Sequence, residues 1–222
     1  MDAVPLASGR DADVYAVDEC RVLRRYRDGG DVAVEAQVMR HVAAHGFPVP
    51  IIHHADGRDL VMERLDGPTM LSAIGTGALP ILDAAALLAD LHHDLHQLPA
   101  LSSQNPTIRI LHLDLHPDNV MLTSRGPVVI DWRNAREGPE RLDVAMSAII
   151  IAQAAVEKTQ DHSSLAAELL PAFLRSAGGC PVAVLDQAMA MRQADPNLTP
   201  EERTALPMAA ALVRSTGWDC GR

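Results

Sequence analysis

Aromatic residues make up only 3% of this 222-residue chain, so the interior must be built from Leu, Ala, Val and Ile. The 48% hydrophobic content suffices for one sizeable core, or for two small lobes sharing one. Cysteine is scarce as well. Cys20, Cys180 and Cys220 are odd in number, far apart and form no C-x-x-C, which argues against a disulfide framework or a zinc ribbon. Long apolar runs are missing: residues 144 to 156 are interrupted by Ser147 and Gln153 and fall short of the ~20 residues that span a bilayer. The opening Met1-Asp2-Ala3-Val4-Pro5 lacks the basic and apolar regions of a signal peptide. The expectation is a soluble, cytoplasmic protein with no membrane partner. Lysine is all but absent, Lys158 being the only one, so basic charge is carried by arginine. The net charge of -10 argues against nucleic-acid binding through phosphate contacts. It is compatible with a cationic substrate, but a surplus of acids more often just keeps a protein soluble.

The pattern along the chain divides in two. Residues 14 to 17 and Arg21-Val22-Leu23-Arg24-Arg25-Tyr26 flank a turn at Asp18-Glu19 and predict a hairpin. After Gly29-Gly30, Asp31 is placed to cap a helix running to about His45, with Val34, Val38 and Val42 on one face. Ile51-Ile52 and Leu60-Val61-Met62 read as strands around Asp56-Gly57. Gly67-Pro68 is the expected boundary, beyond which the chain turns helical. Residues 81 to 98 carry Leu87, Leu88, Leu91 and Leu95 on one face, residues 101 to 107 read as a polar loop, and a hairpin turns at Ser124-Arg125-Gly126. Helices are predicted at about 141–158, 163–176, 182–193 and 200–214. The last has Thr199 as cap, Pro200 in the first turn and Glu202 closing a capping box.

The chemistry concentrates in one stretch. His112-Leu113-Asp114-Leu115-His116-Pro117-Asp118-Asn119 is followed by Val128-Val129-Ile130-Asp131-Trp132. An Asp and an Asn five apart, then a second Asp after an apolar run, are the side chains that phosphoryl transfer from ATP requires. The alternation of His112, Asp114 and His116 also suits a metal site, or simply a polar strand face. The ordered set resembles the catalytic loop and metal-binding strand of the protein-kinase superfamily, and most of all its aminoglycoside phosphotransferase and choline kinase branch. The resemblance covers roughly residues 6 to 146, while residues 147 to 222 carry no motif of their own. It implies an α+β, protein-kinase-like two-lobe fold, with a small β-rich N-terminal lobe and a mostly helical, shortened C-terminal lobe. Residues 1–66 would be the nucleotide-binding lobe with its hinge, and residues 67–222 would hold the catalytic loop and acceptor site.

The same resemblance implies roles. Asp114 would be the catalytic base, with Asn119 and Asp131 as magnesium ligands and His112 bracing the loop. Leu113 and Asp118 stand where the family often has Gly, which is tolerable if the backbone there avoids positive φ. Residues 6 to 15 occupy the place of a phosphate-covering loop but contain only Gly9, so the cradle would be the backbone of Ser8, Gly9, Arg10 and Asp11. With no lysine before Lys158, the phosphate-pairing cation would be Arg24, held by Glu35, while Arg25 faces the other way. Val61, Met62, Glu63, Arg64 and Leu65 fall in the interlobe hinge, and Met62 or Val61, with Met121 and Ile130, would line the purine slot. Asp143 would steady the catalytic loop. His92 and His96 lie one helical turn apart but lack the Glu of H-E-x-x-H, so they read as structural more readily than as zinc ligands.

The activity expected from the resemblance is ATP- and magnesium-dependent phosphorylation of a small-molecule hydroxyl, on an aminoglycoside-like or amino-alcohol acceptor. A nucleotide-binding regulatory domain that transfers no phosphate is the alternative. A protein acceptor is disfavoured by the lack of an activation segment after Asp131-Trp132-Arg133. Asp90, Asp94, Glu157 and Asp161 are the acids that a cationic acceptor would meet.

Overall fold

A computed structural model describes residues 4–27, 29–157, 162–178 and 181–216 of the chain. The first part is an antiparallel sheet in the order β1-β2-β3-β5-β4, made of β1 (Ala7–Ser8), β2 (Ala12–Ala16), β3 (Arg21–Tyr26), β4 (Ile52–Asp56) and β5 (Asp59–Glu63). Alternation fixes the register of β3. Val22, Arg24 and Tyr26 are buried on one face, while Arg21, Leu23 and Arg25 are less so on the other. The hairpin expected here is present, with Arg24 opposite Val14 and Leu60. Val17 lies outside β2 and is exposed.

Helix α1 (Ala33–Ala44) follows. Asp31 is not its cap, which is Val32; its carboxylate instead accepts the Ala33 N–H at 2.8 Å from one residue further out. The helix is also turned from its expected phase. Val34 is 64% exposed, and the buried face runs through Glu35, Val38, Met39 and Val42. A buried ion pair at Glu35, described below, sets that rotation.

Gly67 marks the passage out of the sheet. Its φ is +140°, and a Cβ placed there would lie 2.0 Å from the Leu122 carbonyl oxygen, so only glycine fits. The Leu122 N–H bonds to Pro68 O at 2.8 Å, tying this crossing to the β7 (Val120–Thr123) and β8 (Gly126–Val129) hairpin. Two short strands, β6 (Arg109–Leu111) and β9 (Arg136–Gly138), pair with each other.

The remainder is helical: α2 (Met70–Gly75), α3 (Ile81–Gln97), α4 (Glu140–Val156), α5 (Ser163–Ala177), α6 (Leu185–Gln193) and α7 (Pro200–Ser215). Helix α2, β6 and β9 were not anticipated, and the predicted helix at 182 begins at Leu185 after a 3-10 turn over residues 181–184. In α4 every residue from Leu142 to Gln153 except Ile150 is buried, because α3, α5, α6 and α7 all pack around it. A helix surrounded in this way is mostly apolar on every side, and its buried polar exceptions, Asp143, Ser147 and Gln153, are each hydrogen-bonded. In α3 the buried face carries Leu88, Leu91 and Leu95 with His92 and His96, while Leu87 is half-buried. The capping box of α7 forms as expected, Thr199 Oγ1 accepting the Glu202 N–H at 3.1 Å and Glu202 Oε2 accepting the Thr199 N–H at 2.8 Å. Asp161, Lys158, Cys180 and Cys220 lie outside the described residues, and Cys20 is exposed. Among the described residues no helix is long and apolar enough to cross a membrane.

Candidate active site

The loop after β6 carries Asp114 and is held from below by Asp143 in the first turn of α4. Asp143 accepts the His112 N–H at 3.1 Å and the Leu113 N–H at 2.6 Å. Its carboxylate also meets His96 Nε2 at 3.0 Å and His92 Nδ1 at 3.5 Å. Burial alone would raise the Asp143 carboxyl, but the hydrogen bonds from His92 and His96 outweigh it and hold the group well below the ordinary carboxylate range. His92, His96 and Asp143 are thus a fully buried cluster under the loop, and His92 Nε2 is 2.9 Å from Ser147 Oγ.

This grip forces an unusual backbone. Leu113 has φ +62°, where a side chain is strained, so the condition under which a leucine would sit here without cost is not met. Asp118 does avoid it and sits in a 3-10 turn over Pro117–Asn119. Asp131 is the other non-glycine residue at positive φ among those described, at +63°.

Asp114 and Asn119 are in contact. Asn119 Nδ2 donates to the Asp114 carbonyl at 2.9 Å and to its Oδ2 at 3.2 Å, which leaves the Asn119 amide oxygen free of these bonds. Ile130 N–H donates to Asn119 O at 3.0 Å and brings Asp131 to the same place. Burial pushes the Asp114 carboxyl up to about 6, and the charge of Asp131 adds to the rise. His112 braces the loop as expected: its Nε2 lies 3.0 Å from the Ile130 carbonyl, and its Nδ1 accepts the Asp114 N–H at 3.2 Å. Its ring also packs edge-on against buried Trp132, with centroids 4.7 Å apart.

Arg24 joins the sheet to this loop. Its buried guanidinium donates from Nη1 to Glu35 and from Nη2 to Asp131. Burial would depress the Arg24 pKa, but the charges of Asp131 and Glu35 raise it, so the cation is permanent. Glu35 also accepts Tyr26 Oη–H and, at 3.2 Å, the Trp132 N–H. Arg25, on the opposite face of β3, is held by Asp59 rather than by water alone.

The other expected residues are distributed as follows. The turn at Ser8 and Gly9 is a tight one. The Ser8 hydroxyl donates to Asp13, and the Gly9 N–H donates to Ala12 O at 2.9 Å, so Gly9 of the expected cradle is turned into the hairpin, while the Arg10 and Asp11 N–H groups have no acceptor among the described residues. Met62, Met121 and Ile130 are half-buried on β5, β7 and the segment after β8. Glu63 is tied down, its carboxylate accepting Arg125 at 2.7 Å and the Ile51 N–H at 3.1 Å. Arg64 N–H bonds to Cys20 O, which leaves Leu65 the first hinge N–H without a protein acceptor among the described residues.

Four arginine side chains near the site have partners or positions that the sequence does not signal. Arg10 forks onto Glu202 of α7. Arg133 pairs with Asp11 at 2.9 Å and lies over the Tyr26 ring. Arg192 Nη1 lies 3.7 Å from Asp114 Oδ1, and Arg136 lines the same cavity as Arg192. No local spacing joins residues so far apart. Asp90 and Asp94, expected to face an acceptor, are exposed on α3 and outside that cavity lining.

A family model described as "Phosphotransferase enzyme family" matches residues 2–108 and 97–179. No curated protein sequence is similar enough to count as a match. Among solved structures, apo aminoglycoside phosphotransferase APH(4)-Ia, as a thermostable mutant, superposes with TM-score 0.67 at 15% identity, over 97% of this chain and 94% of that one. A choline/ethanolamine kinase family protein from Mesorhizobium loti gives 0.60 at 14% identity, over 97% and 88%. A ternary complex of APH(4)-Ia with AMP-PNP and hygromycin B gives 0.57 at 18% identity, over 96% and 94%. At these identities the likeness is one of fold, and the fold is the kinase-like α+β plan.

Proposed function

The chain belongs to the phosphotransferase enzyme family, and from that premise we propose that it transfers the γ-phosphate of ATP, with magnesium, to a hydroxyl of a small molecule. The observation that carries this reading is the meeting of Asp114 and Asn119, on the loop gripped by Asp143, with the Arg24-held Asp131 after β8. Residues 1–66 would then bind nucleotide, and residues 67–222 would supply the catalytic loop and receive the acceptor.

In the transfer, the acceptor oxygen attacks the γ-phosphorus and forms a new P–O bond. The bond from that phosphorus to the β–γ bridging oxygen breaks, and ADP departs with the electron pair. The hydroxyl proton passes to the Asp114 carboxylate. With its pKa near 6, that group is ionised at neutral pH yet basic enough to orient the hydroxyl and take its proton. Arg24 would fork onto the α- and β-phosphate oxygens while Glu35 keeps its guanidinium in place. Arg10 and Asp11 N–H groups would cover the phosphates, with Ser8 and Gly9 shaping the turn. Glu63 and Leu65 would present hinge backbone to the adenine, between Met62, Met121 and Ile130.

Asn119 and Asp131 suit magnesium, because both offer hard oxygens and the Asn119 amide nitrogen is turned toward Asp114. When bound, the ion would neutralise charge on the phosphates.

Incubation with γ-labelled ATP, magnesium and a panel of hydroxylated small molecules tests the reading. Label should reach an acceptor, and Asp114→Asn should block it. A domain that only binds nucleotide would retain ATP affinity and yield no labelled product from any acceptor.

A further inference from the structure

The cavity beside Asp114 measures about 260 Å³, and its lining includes Leu113, Asn134, Arg136, Met146, Arg192 and Asp195. It is small beside the ~300–1,000 Å³ of pockets for drug-sized ligands. Leu113 and Met146 give it an apolar side. Its charged side is set by who is already paired. Asp195 is engaged at both oxygens: Oδ2 lies 3.4 Å from Arg192 Nη1, and Oδ1 accepts the Asn197 N–H at 2.9 Å. Arg192 also donates from Nε to Gln153 at 3.0 Å, which fixes its plane while Nη2 has no acceptor among the described residues. Arg136, exposed on β9, has no carboxylate within ion-pair distance among the described residues. The cavity lining therefore offers an incoming molecule the unpaired guanidinium of Arg136, the Nη2 edge of Arg192, whose charge is shared with Asp195 and neighbouring Asp114, and no unpaired carboxylate.

We propose that the acceptor is a small hydroxy compound bearing an oxyanion, a carboxylate or a phosphate ester, which Arg136 and Arg192 hold while its hydroxyl faces Asp114. This rests on the phosphotransfer reading and names its substrate class. A polyamine would meet like charge at Arg136 and an occupied carboxylate at Asp195. The protein's net charge of -10 does not decide the matter, because exposed acids farther than ~8 Å are largely screened at physiological salt. Guanidinium groups at contact distance act directly and grip oxyanions in a planar fork.

The test uses matched probes that differ in one terminal group. At three carbons they are glycerate, glycerol 3-phosphate, glycerol and 3-amino-1,2-propanediol. At six they are gluconate, sorbitol 6-phosphate, sorbitol and glucamine. Binding is measured calorimetrically with ADP and magnesium present, so that it does not depend on turnover. At one size or both, an anionic member should bind about tenfold or more tighter than its ammonium counterpart. The two anions separate a carboxylate source from a phosphate one. Arg136→Gln should erase the preference and Arg136→Glu should reverse it, each with an unchanged melting temperature and ADP affinity. Equal or tighter binding of the amines, a preference that survives both variants, or no binding by any probe overturns the proposal. If anions bind selectively but ATP phosphorylates none of the probes and none of the wider panel, the anion site stands and the phosphotransfer reading falls.

Discussion

Arg10, on the turn between β1 and β2, forks onto Glu202, the residue that closes the cap of α7 and stands 192 positions later. One carboxylate thus serves a helix end and a loop of the sheet at once, since Glu202 Oε2 also accepts the Thr199 N–H. Arg10 is 54% exposed at its side chain and Glu202 10%, so the two halves of this contact should differ in worth. Arg10→Ala should cost under about 1 kcal/mol, as half-exposed pairs do. Glu202→Ala also loses the cap, adding about 1 kcal/mol. Urea unfolding of both single variants and the double checks this, and a coupling well above 1 kcal/mol would contradict it.

Asp114 should govern the pH dependence of turnover and, with opposite sign, of stability. Its folded pKa of about 6 lies above the ordinary 3.8, so its contribution to stability is complete below the ordinary value and is lost as pH rises through about 6. Turnover should rise with pH along a limb centred near 6 as the base ionises. Asp114→Asn should lower turnover at least about 100-fold. Its melting temperature relative to wild type should climb across the same pH window. A variant less stable at pH 7.5 than at pH 4, relative to wild type, would contradict the assignment.

Arg24 should be irreplaceable by lysine. Arg24→Ala would leave Glu35 buried without its partner, at about 3–5 kcal/mol, which confounds any binding measurement. Arg24→Lys keeps a charge for Glu35 but loses the fork that reaches Asp131 as well. It should weaken ATP binding far more than adenosine binding, while Arg25→Ala should weaken neither by more than about twofold. Equal losses for Arg24→Lys and Arg25→Ala would show that Arg24 has no special relation to the phosphates.

Leu113 combines strain with burial, at φ +62° and 4% exposure. Truncating a buried leucine costs about 2–5 kcal/mol. At an ordinary position glycine would then be about 1 kcal/mol worse than alanine. Here glycine also releases a left-handed conformation worth roughly 1–2 kcal/mol. Leu113→Gly should therefore be at least as stable as Leu113→Ala. Denaturant midpoints decide it, and a clearly better alanine variant would mean that Asp143 imposes no strain.

What was legible in the sequence is what local spacing can encode. Alternation along residues 21 to 26 put Arg24 and Arg25 on opposite faces, and the missing lysine pointed to Arg24 and Glu35. Thr199 to Glu202 spelled out its own cap. Val34, Val38 and Val42 share a spacing of four that points to one phase for α1, while the Glu35–Arg24 pair rotates the helix so that Val34 faces water. Helix α2, only six residues long, is too short to show a period. The backbone of Leu113 is dictated by Asp143, thirty residues away, and Arg10, Arg136 and Arg192 reach the site only through tertiary packing.

Gly67 makes one backbone crossing closed to sequence change. A Cβ there would sit 2.0 Å from the carbonyl oxygen of Leu122, and backbone, unlike the tip of a side chain, has no rotamer in which to step aside. The segment leaving the sheet and β7 therefore meet main chain to main chain at this point. Even the smallest addition would push β7 outward and carry neighbouring Met121 with it. A missing methyl group lets the chain leaving the sheet lie directly against β7, and a single carbon at position 67 would act as a wedge.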